Sequence, residues 1–437
     1  MPSDLEITLA TLQLWADDPS LIADNARAKT LVAKVHREGA RLAKATSRDE
    51  KRQRDRARRE ATGLVVSQNR PFDAPVLPAP ASQELERAAS CAHCRAPFTQ
   101  LHPFYHSLCP LCAALNWEKR HQSADLRGRV ALLTGGRIKI GFACALKLLR
   151  AGARVVVTTR FPTDAARRFA RQDDYEKWRD RLELHALDLR FPGEVERFCA
   201  DLTARLPHLD ILVCNAAQTV KRPPEFYAHL LEGEKAGLPS SSNRRALPEP
   251  EEGGSALSID FSPVQLDRDE QPLDFRARNS WLETLGEIET LEAAECYLVG
   301  ALSPFVMAGQ LRAGMKRSPH ARRFVVLASA MEGNFSRAGK TVRHPHTNMT
   351  KAALNMMVRT SAADLHRDGI FCNAVDTGWI TDENPLPLAQ RLRDNGFVPP
   401  LDATDGAARL LAPIFDGLGE NEPLWGQFLK NYAPHPW

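Results

Sequence analysis

From residue 126 onward, short apolar runs alternate with segments whose apolar residues recur at helical spacing. The runs are 129–134, 154–159, 182–187, 209–214, 323–328 and 370–375. Their length and aliphatic content suit strands of a sheet covered on both faces. Between them, 141–151, 193–205, 297–315 and 348–366 carry the helical period. This alternation predicts an α/β fold, a doubly wound parallel sheet over 126–437. Residues 221–278 break the pattern. They are rich in Pro, Glu and Ser and read as an insertion or lid, after which Ser280 and Glu283 read as a capping box opening the next helix. Upstream, 1–70 reads as a charged helical region with a sparse apolar stripe (Leu12, Leu14, Leu21, Ile22, Leu31, Val35), followed by a Pro/Ala linker, 71–88.

The densest local signal is the stretch from Gly128 to Arg160. The apolar run Val130–Thr134 leads into a turn holding Gly135, Gly136 and Gly141. A helical segment (Ala143, Leu146, Leu149) follows and stops at Gly152, and 154–159 is again strand-like. Glycines at a strand end let backbone N–H groups approach a pyrophosphate, and the following helix N-terminus adds partial positive charge. In this strand–loop–helix–strand setting the loop predicts dinucleotide binding and a Rossmann-type sheet. The second strand ends Thr158-Thr159-Arg160, without the carboxylate that would hold a ribose 2′-OH, and Arg137 lies inside the loop. Two cations and no acid favour a 2′-phosphate, so NADP(H) is expected over NAD.

Composition narrows the class. Of 437 residues, 58 are Lys or Arg and 54 Asp or Glu, a net +4 that gives no global case for nucleic acid. The basic run 51–59 reads as one face of a solvated helix. No apolar run suggests a membrane span and no signal-peptide core is evident, so a cytoplasmic protein is expected. Four of the nine cysteines form two CxxC pairs, Cys91/Cys94 and Cys109/Cys112, fourteen residues apart. That spacing predicts one tetrahedral, structural zinc in a small ribbon-like module, 89–120, separate enough that dinucleotide binding would survive its loss. His93, His102 and His106 lie nearby, but four sulfurs already close a zinc shell.

Several landmarks resemble the short-chain dehydrogenase/reductase superfamily across residues 126 to about 430. Thr134-Gly135-Gly136-Arg137-Ile138-Lys139-Ile140-Gly141 is similar to its TGxxxGxG loop, with Lys139 replacing the middle glycine. Asp188-Leu189 resembles the adenine-contacting pair, and Cys214-Asn215-Ala216-Ala217 resembles NNAG. Asn373 to Thr381 resembles the segment that closes over the nicotinamide, with Thr377 replacing its proline, and carries Gly378, Ile380 and Thr381. The strings Ser329–Gly333, His344–Lys351 and Asp382–Pro385 are similar to a branch of the superfamily with no established substrate. The resemblance assigns the cofactor to these loops and to Lys351, whose ammonium also bonds the nicotinamide ribose. It places the general acid/base, normally the Tyr of YxxxK, at Thr347. Ser329 falls at the family's serine, or Ala330 if the register shifts by one, and Gly300 falls at the relay asparagine.

A threonine hydroxyl does not ionise near neutral pH, so the conventional proton donor is missing. His346 and His344, just before Thr347, are substitutes whose imidazoles exchange protons near pH 7, and Asp376 is a third. The leading expectation is an NADP(H)-dependent oxidoreductase with an altered proton donor and an unidentified small-molecule substrate. The alternative is a catalytically silent NADP(H) sensor or scaffold that binds a protein partner through the knuckle and the N-terminal helices. A homo-oligomer is left open.

Overall fold

The computed structural model describes residues 3–68, 70, 82–235, 244–245, 265–337, 339–381 and 383–437. Most of the expected linker, the middle of the insertion, and Asp382 therefore lie outside the described residues. The strands are β1 (Glu84–Ser90), β2 (Pro97–Gln100), β3 (Val130–Thr134), β4 (Arg154–Thr159), β5 (Leu182–Ala186), β6 (Ile211–Cys214), β7 (Arg244–Arg245), β8 (Arg323–Ser329), β9 (Ile370–Asp376), β10 (Phe428–Lys430) and β11 (Ala433–His435). β1 and β2 form an antiparallel pair, and the other nine form one sheet in the order β11-β10-β9-β8-β6-β3-β4-β5-β7. All its neighbours run parallel except β10 and β11.

The apolar runs become strands because both faces are covered. Along β3, Ala131 and Leu133 join a core under helices Lys139–Arg150 and Ala403–Gly417. Val130 and Leu132 join the opposite core, under Pro192–Arg205, Ser303–Gln310 and Pro345–Arg367. The strand order reverses direction at β3, whose neighbours are β4 and β6, and a crevice for ligands opens at the carboxyl ends on either side of such a switch point. The fold thus places the site before any side chain is considered.

Several expectations change. Ser280 caps no helix: it is buried, its hydroxyl donates to the Glu292 carboxylate, and the next helix starts at Thr290 with Glu289 as its N-cap. That helix was expected at 297–315. It runs from Thr290 through a π turn, Leu298–Leu302, to Gln310. Thr290–Gln310 is long and apolar enough to cross a membrane, but 56% of its most apolar 18 residues are buried in the fold. Ala403–Gly417 escaped the pattern because Gly406 and Pro413 interrupt its period and nearly its whole circumference is buried.

Helices Asp4–Asp17 and Ala26–Glu60 are exposed through most of their length. The long helix is anchored at its basic end. The buried Asp55 carboxylate accepts from the Glu86 and Arg87 amides at 2.7 and 3.1 Å, and Arg54 pairs with Glu86 at 2.6 Å. Part of the basic run is thus taken up by ion pairs within the chain.

A third core joins the cysteine module to the sheet domain. Leu101, Phe104, Tyr105 and Leu108 share it with Ile380 and Leu401. Within it His106 lies 3.3 Å from the Val398 carbonyl through Nε2, and burial holds its imidazole down to about 4. A folded-state value below the unfolded value of about 6.5 means the unfolded chain takes up the proton first, so stability is full above pH 6.5 and drains as pH falls toward 4. Between pH 7.5 and pH 5, His106 is expected to cost about 2 kcal/mol. Urea midpoints of the unmodified chain and His106→Gln should converge over that range, and parallel pH dependences would refute the assignment.

Candidate functional site

The glycine loop joins the ends of β3 and β6. Thr134 is buried, and its hydroxyl oxygen accepts from the Asn215 and Ala216 amides, each at 3.1 Å. The Asn215 side-chain amide returns bonds to the carbonyls of Thr134 (3.2 Å) and Gly135 (3.1 Å). Gly135 has φ +70°, and a Cβ there would sit 2.9 Å from the Ala216 Cβ. A Cβ on Gly141 would collide with the Gly135 carbonyl oxygen and lie 2.6 Å from Asn215 Nδ2. Gly136 packs on Val157, Ile138 is the N-cap of the helix, and Ile140 is half-buried against two cores. Ala217 stays exposed. The loop has the tight cradle a pyrophosphate needs and an open helix N-terminus behind it.

The two arginines expected to share a 2′-phosphate differ. Arg137 is buried and committed: Nη1 donates to Asp164 at 2.8 Å and Nη2 to Gln271 at 2.8 Å. It ties the insertion to the loop, with Asp164 and Gln271 on the guanidinium that the sequence reading turns toward a 2′-phosphate. Arg160 has no carboxylate partner among the described residues. It lies over the rings of Phe161 (5.3 Å) and Tyr227 (4.5 Å) at the end of β4. Asp188 is near it. Burial would raise the Asp188 carboxyl, but hydrogen bonds from Arg190 and the charge of Arg160 hold it below the usual range. Leu189 is buried, and its carbonyl accepts from Ser303 at 2.8 Å.

At the other end of the crevice, Pro345–Arg367 presents His346, Thr347, Lys351 and Asn355 inward, all buried. Thr347, Lys351 and Asn355 follow the i, i+4 spacing of one helix face. Lys351 Nζ donates to the Ala328 carbonyl at 2.7 Å, and burial pushes its ammonium below the ordinary lysine range. Thr347 Oγ1 lies 3.4 Å from His346 Nε2. That same nitrogen is 3.3 Å from the Thr219 carbonyl, and Nδ1 has no partner among the described residues. Burial also lowers the His346 imidazole, which is neutral near pH 7.

Ser329 is buried and donates to Asn355 Oδ1 at 2.5 Å. Gly300 sits in the π turn, where a Cβ would come within 2.6 Å of Thr350 Cγ2, so an asparagine does not fit without moving that residue. His344 is the left-handed N-cap (φ 41°), stacked on Trp281 at 4.0 Å with its Nδ1 on the Trp281 carbonyl, 2.9 Å away. Its Nδ1 and ring face are thus both engaged by Trp281. Asp376 is buried, which pushes its carboxyl up, and it accepts from the Gly378 amide at 3.2 Å. Thr377 is half-buried, Ile380 joins the third core, and Thr381 donates to Glu383 at 2.9 Å.

The four cysteine sulfurs converge, all within 4.8 Å of one another, with Cys94 and Cys109 at 3.6 Å. Sulfurs at about 2.3 Å from a tetrahedral zinc stand about 3.8 Å apart, so the donor set fits. The Cys109 amide donates to Cys91 Sγ at 3.3 Å, which orients that ligand. No neighbouring histidine among the described residues joins the cluster.

Sequence reasoning missed Asn355, Cys296 and Arg409. Asn355 was accessible as the next i+4 position after Lys351. Cys296, whose Sγ is 3.4 Å from Thr350 Oγ1, and Arg409 carry no local signal.

A family model described as short chain dehydrogenase matches residues 129–230. The chain is 30% identical over 343 residues to the uncharacterized protein R665 of Acanthamoeba polyphaga mimivirus, spanning 74% of this chain and 71% of that one. It is 40% identical over 95 residues to Dehydrogenase/reductase SDR family member 13 of Bos taurus, 21% of this chain and 24% of that one. Among solved structures, the Pseudomonas aeruginosa RhlG/NADP active-site complex aligns with a TM-score of 0.48 at 19% identity, covering 71% of this chain and 96% of that one.

Proposed function

Because this chain belongs to the short-chain dehydrogenase/reductase superfamily, we propose that it is an NADP(H)-dependent oxidoreductase whose proton donor is not a phenol. The observation that carries this reading is the row His346, Thr347 and Lys351 at the carboxyl edge of β8, with the Lys351 ammonium buried and fixed on Ala328. Thr134, Gly135, Gly136, Gly141 and Asn215 form the cradle that would hold the pyrophosphate, Arg160 and Asp188 the adenosine end, and Thr377, Gly378 and Lys351 the nicotinamide end. The bound nicotinamide supplies the hydride. His346, kept neutral, carries its N–H on Nε2 beside the Thr347 hydroxyl, and a proton passed from Nε2 through that hydroxyl is balanced by one taken up from solvent at the unpartnered Nδ1. So weak a donor suits a polarised C=C or C=N, whose reduction demands little protonation. Zinc in the cysteine module is structural in this reading.

A second reading has one specific support. Ser329 faces inward and Thr350 closes the space beside Gly300, so two of the positions the family uses in catalysis are turned to packing. A silent NADP(H) sensor needs neither.

Titration should show NADPH binding at least about tenfold tighter than NADH, and Arg160→Asp should reverse that order. Equal affinities in the unmodified protein would remove NADP(H) from the reading. With a panel of enones, imines and carbonyls, NADPH oxidation should fall about 10²-fold in His346→Gln. Tight NADPH binding with no hydride transfer across the panel decides for the sensor.

A further inference from the structure

Helix Ala403–Gly417 lies between the sheet and the cysteine module, and one buried cation on it reaches both. Arg409 is 2% exposed. Its Nη1 donates to the Thr377 carbonyl at 3.2 Å, on the loop after β9. Its Nη2 faces His93 Nε2 at 2.9 Å and the side-chain oxygens of Asn116 and Asn431, both at 3.1 Å. His93 stands between Cys91 and Cys94. Asn116 lies on the helix that carries Cys112 and donates to the Cys112 carbonyl at 2.7 Å. The loop is shaped for this arginine. Gly378 has φ +82°, and a Cβ there would collide with Arg409 Nη1.

We infer that Arg409 is a positioning residue coupling the cysteine module to the nicotinamide end of the cofactor site, so that an intact module is required for tight dinucleotide binding. The inference rests on the NADP(H) reading above. A buried guanidinium is costly unless its donors are paired, and here half the acceptors come from the module and one from the loop. Removing the module's acceptors leaves the cation under-satisfied. The Thr377–Gly378 segment then loses its fixed partner. Lysine cannot replace Arg409, because a single ammonium lacks the planar fork that spans two sites.

The test uses the full chain with all four cysteines intact. His93→Ala should retain zinc, measured by metal analysis, yet weaken NADPH binding about tenfold or more, the scale of a lost bond to a charged group. His93→Gln, whose amide oxygen still accepts, should recover most of that loss, which a general structural defect would not allow. Hydrogen exchange without nucleotide gives an independent readout: amides 377–381 should exchange faster in His93→Ala and Arg409→Lys than in the unmodified chain. Unchanged exchange and unchanged NADPH affinity in His93→Ala overturn the coupling. Faster exchange in an unmodified fold that binds no NADPH overturns the cofactor reading and, with it, the functional part of the inference.

Discussion

Cys109→Ser is expected to strip the metal from the chain and to weaken NADPH binding as well. Zinc binding supplies about 10–16 kcal/mol of apparent free energy in small cysteine/histidine modules, which lack a core large enough to fold alone. Cys109 holds a corner of the sulfur cluster and is the N-cap of helix Pro110–His121, so its loss loosens both. The damage reaches the sheet domain because the module is bound to it by more than apolar contact. Arg120 donates to Asp402 at 2.7 Å and Asp405 at 2.9 Å, and the Tyr105 hydroxyl donates to Asp405 at 2.7 Å. Burial and the neighbouring Asp402 push the Asp405 carboxyl up to about 6, so this cluster depends on its cation. Breaking a buried pair of this kind costs about 3–5 kcal/mol. Metal analysis, urea unfolding and NADPH titration of the variant check the expectation. Full NADPH affinity in a zinc-free, less stable protein would mean the module is energetically separate, as its sequence alone suggests.

Gly141→Ala should abolish dinucleotide binding and destabilise the sheet domain by about 3 kcal/mol or more, at the upper end of overpacking costs. The methyl would meet a backbone carbonyl, that of Gly135, which is itself fixed by the Asn215 amide at 3.1 Å. A backbone carbonyl cannot swing aside as the end of a side chain can, so the loop has to open. Gly39→Ala is the control. It lies in the exposed helix Ala26–Glu60, where an added methyl would meet nothing within 4 Å, and the same substitution there should stabilise by about 0.5–1 kcal/mol. Chemical unfolding and NADPH fluorescence titration of both variants test the pair. Retained NADPH affinity in Gly141→Ala would move the pyrophosphate away from this loop.

Six strands of the nine-stranded sheet, the glycine turn after β3 and the paired cysteines were legible from the chain because each is a short-range property, whereas β7, β10 and β11 were not read as strands. An apolar run between turn residues, a glycine where backbone must approach backbone, and two CxxC pairs are recognisable without a partner. The resemblance to the superfamily's YxxxK likewise pointed to Thr347 and Lys351. The direction in which the side chains on these elements turn was settled at longer range. Arg137 read as a phosphate ligand, and only the fold shows that Asp164 and Gln271, the latter 134 residues away, bond it. Ser329 read as a catalytic hydroxyl, and only the fold shows it donating to Asn355 on a neighbouring helix; Gly300 read as a lost asparagine, and only the fold shows Thr350 filling the space. Arg409 had no reading at all, since its acceptors on His93 and Asn116 lie 316 and 293 residues away. Periodicity and local backbone geometry specify which elements form. A polar side chain bonds whatever group the packed elements bring within about 3 Å of it, and only the tertiary fold makes that choice.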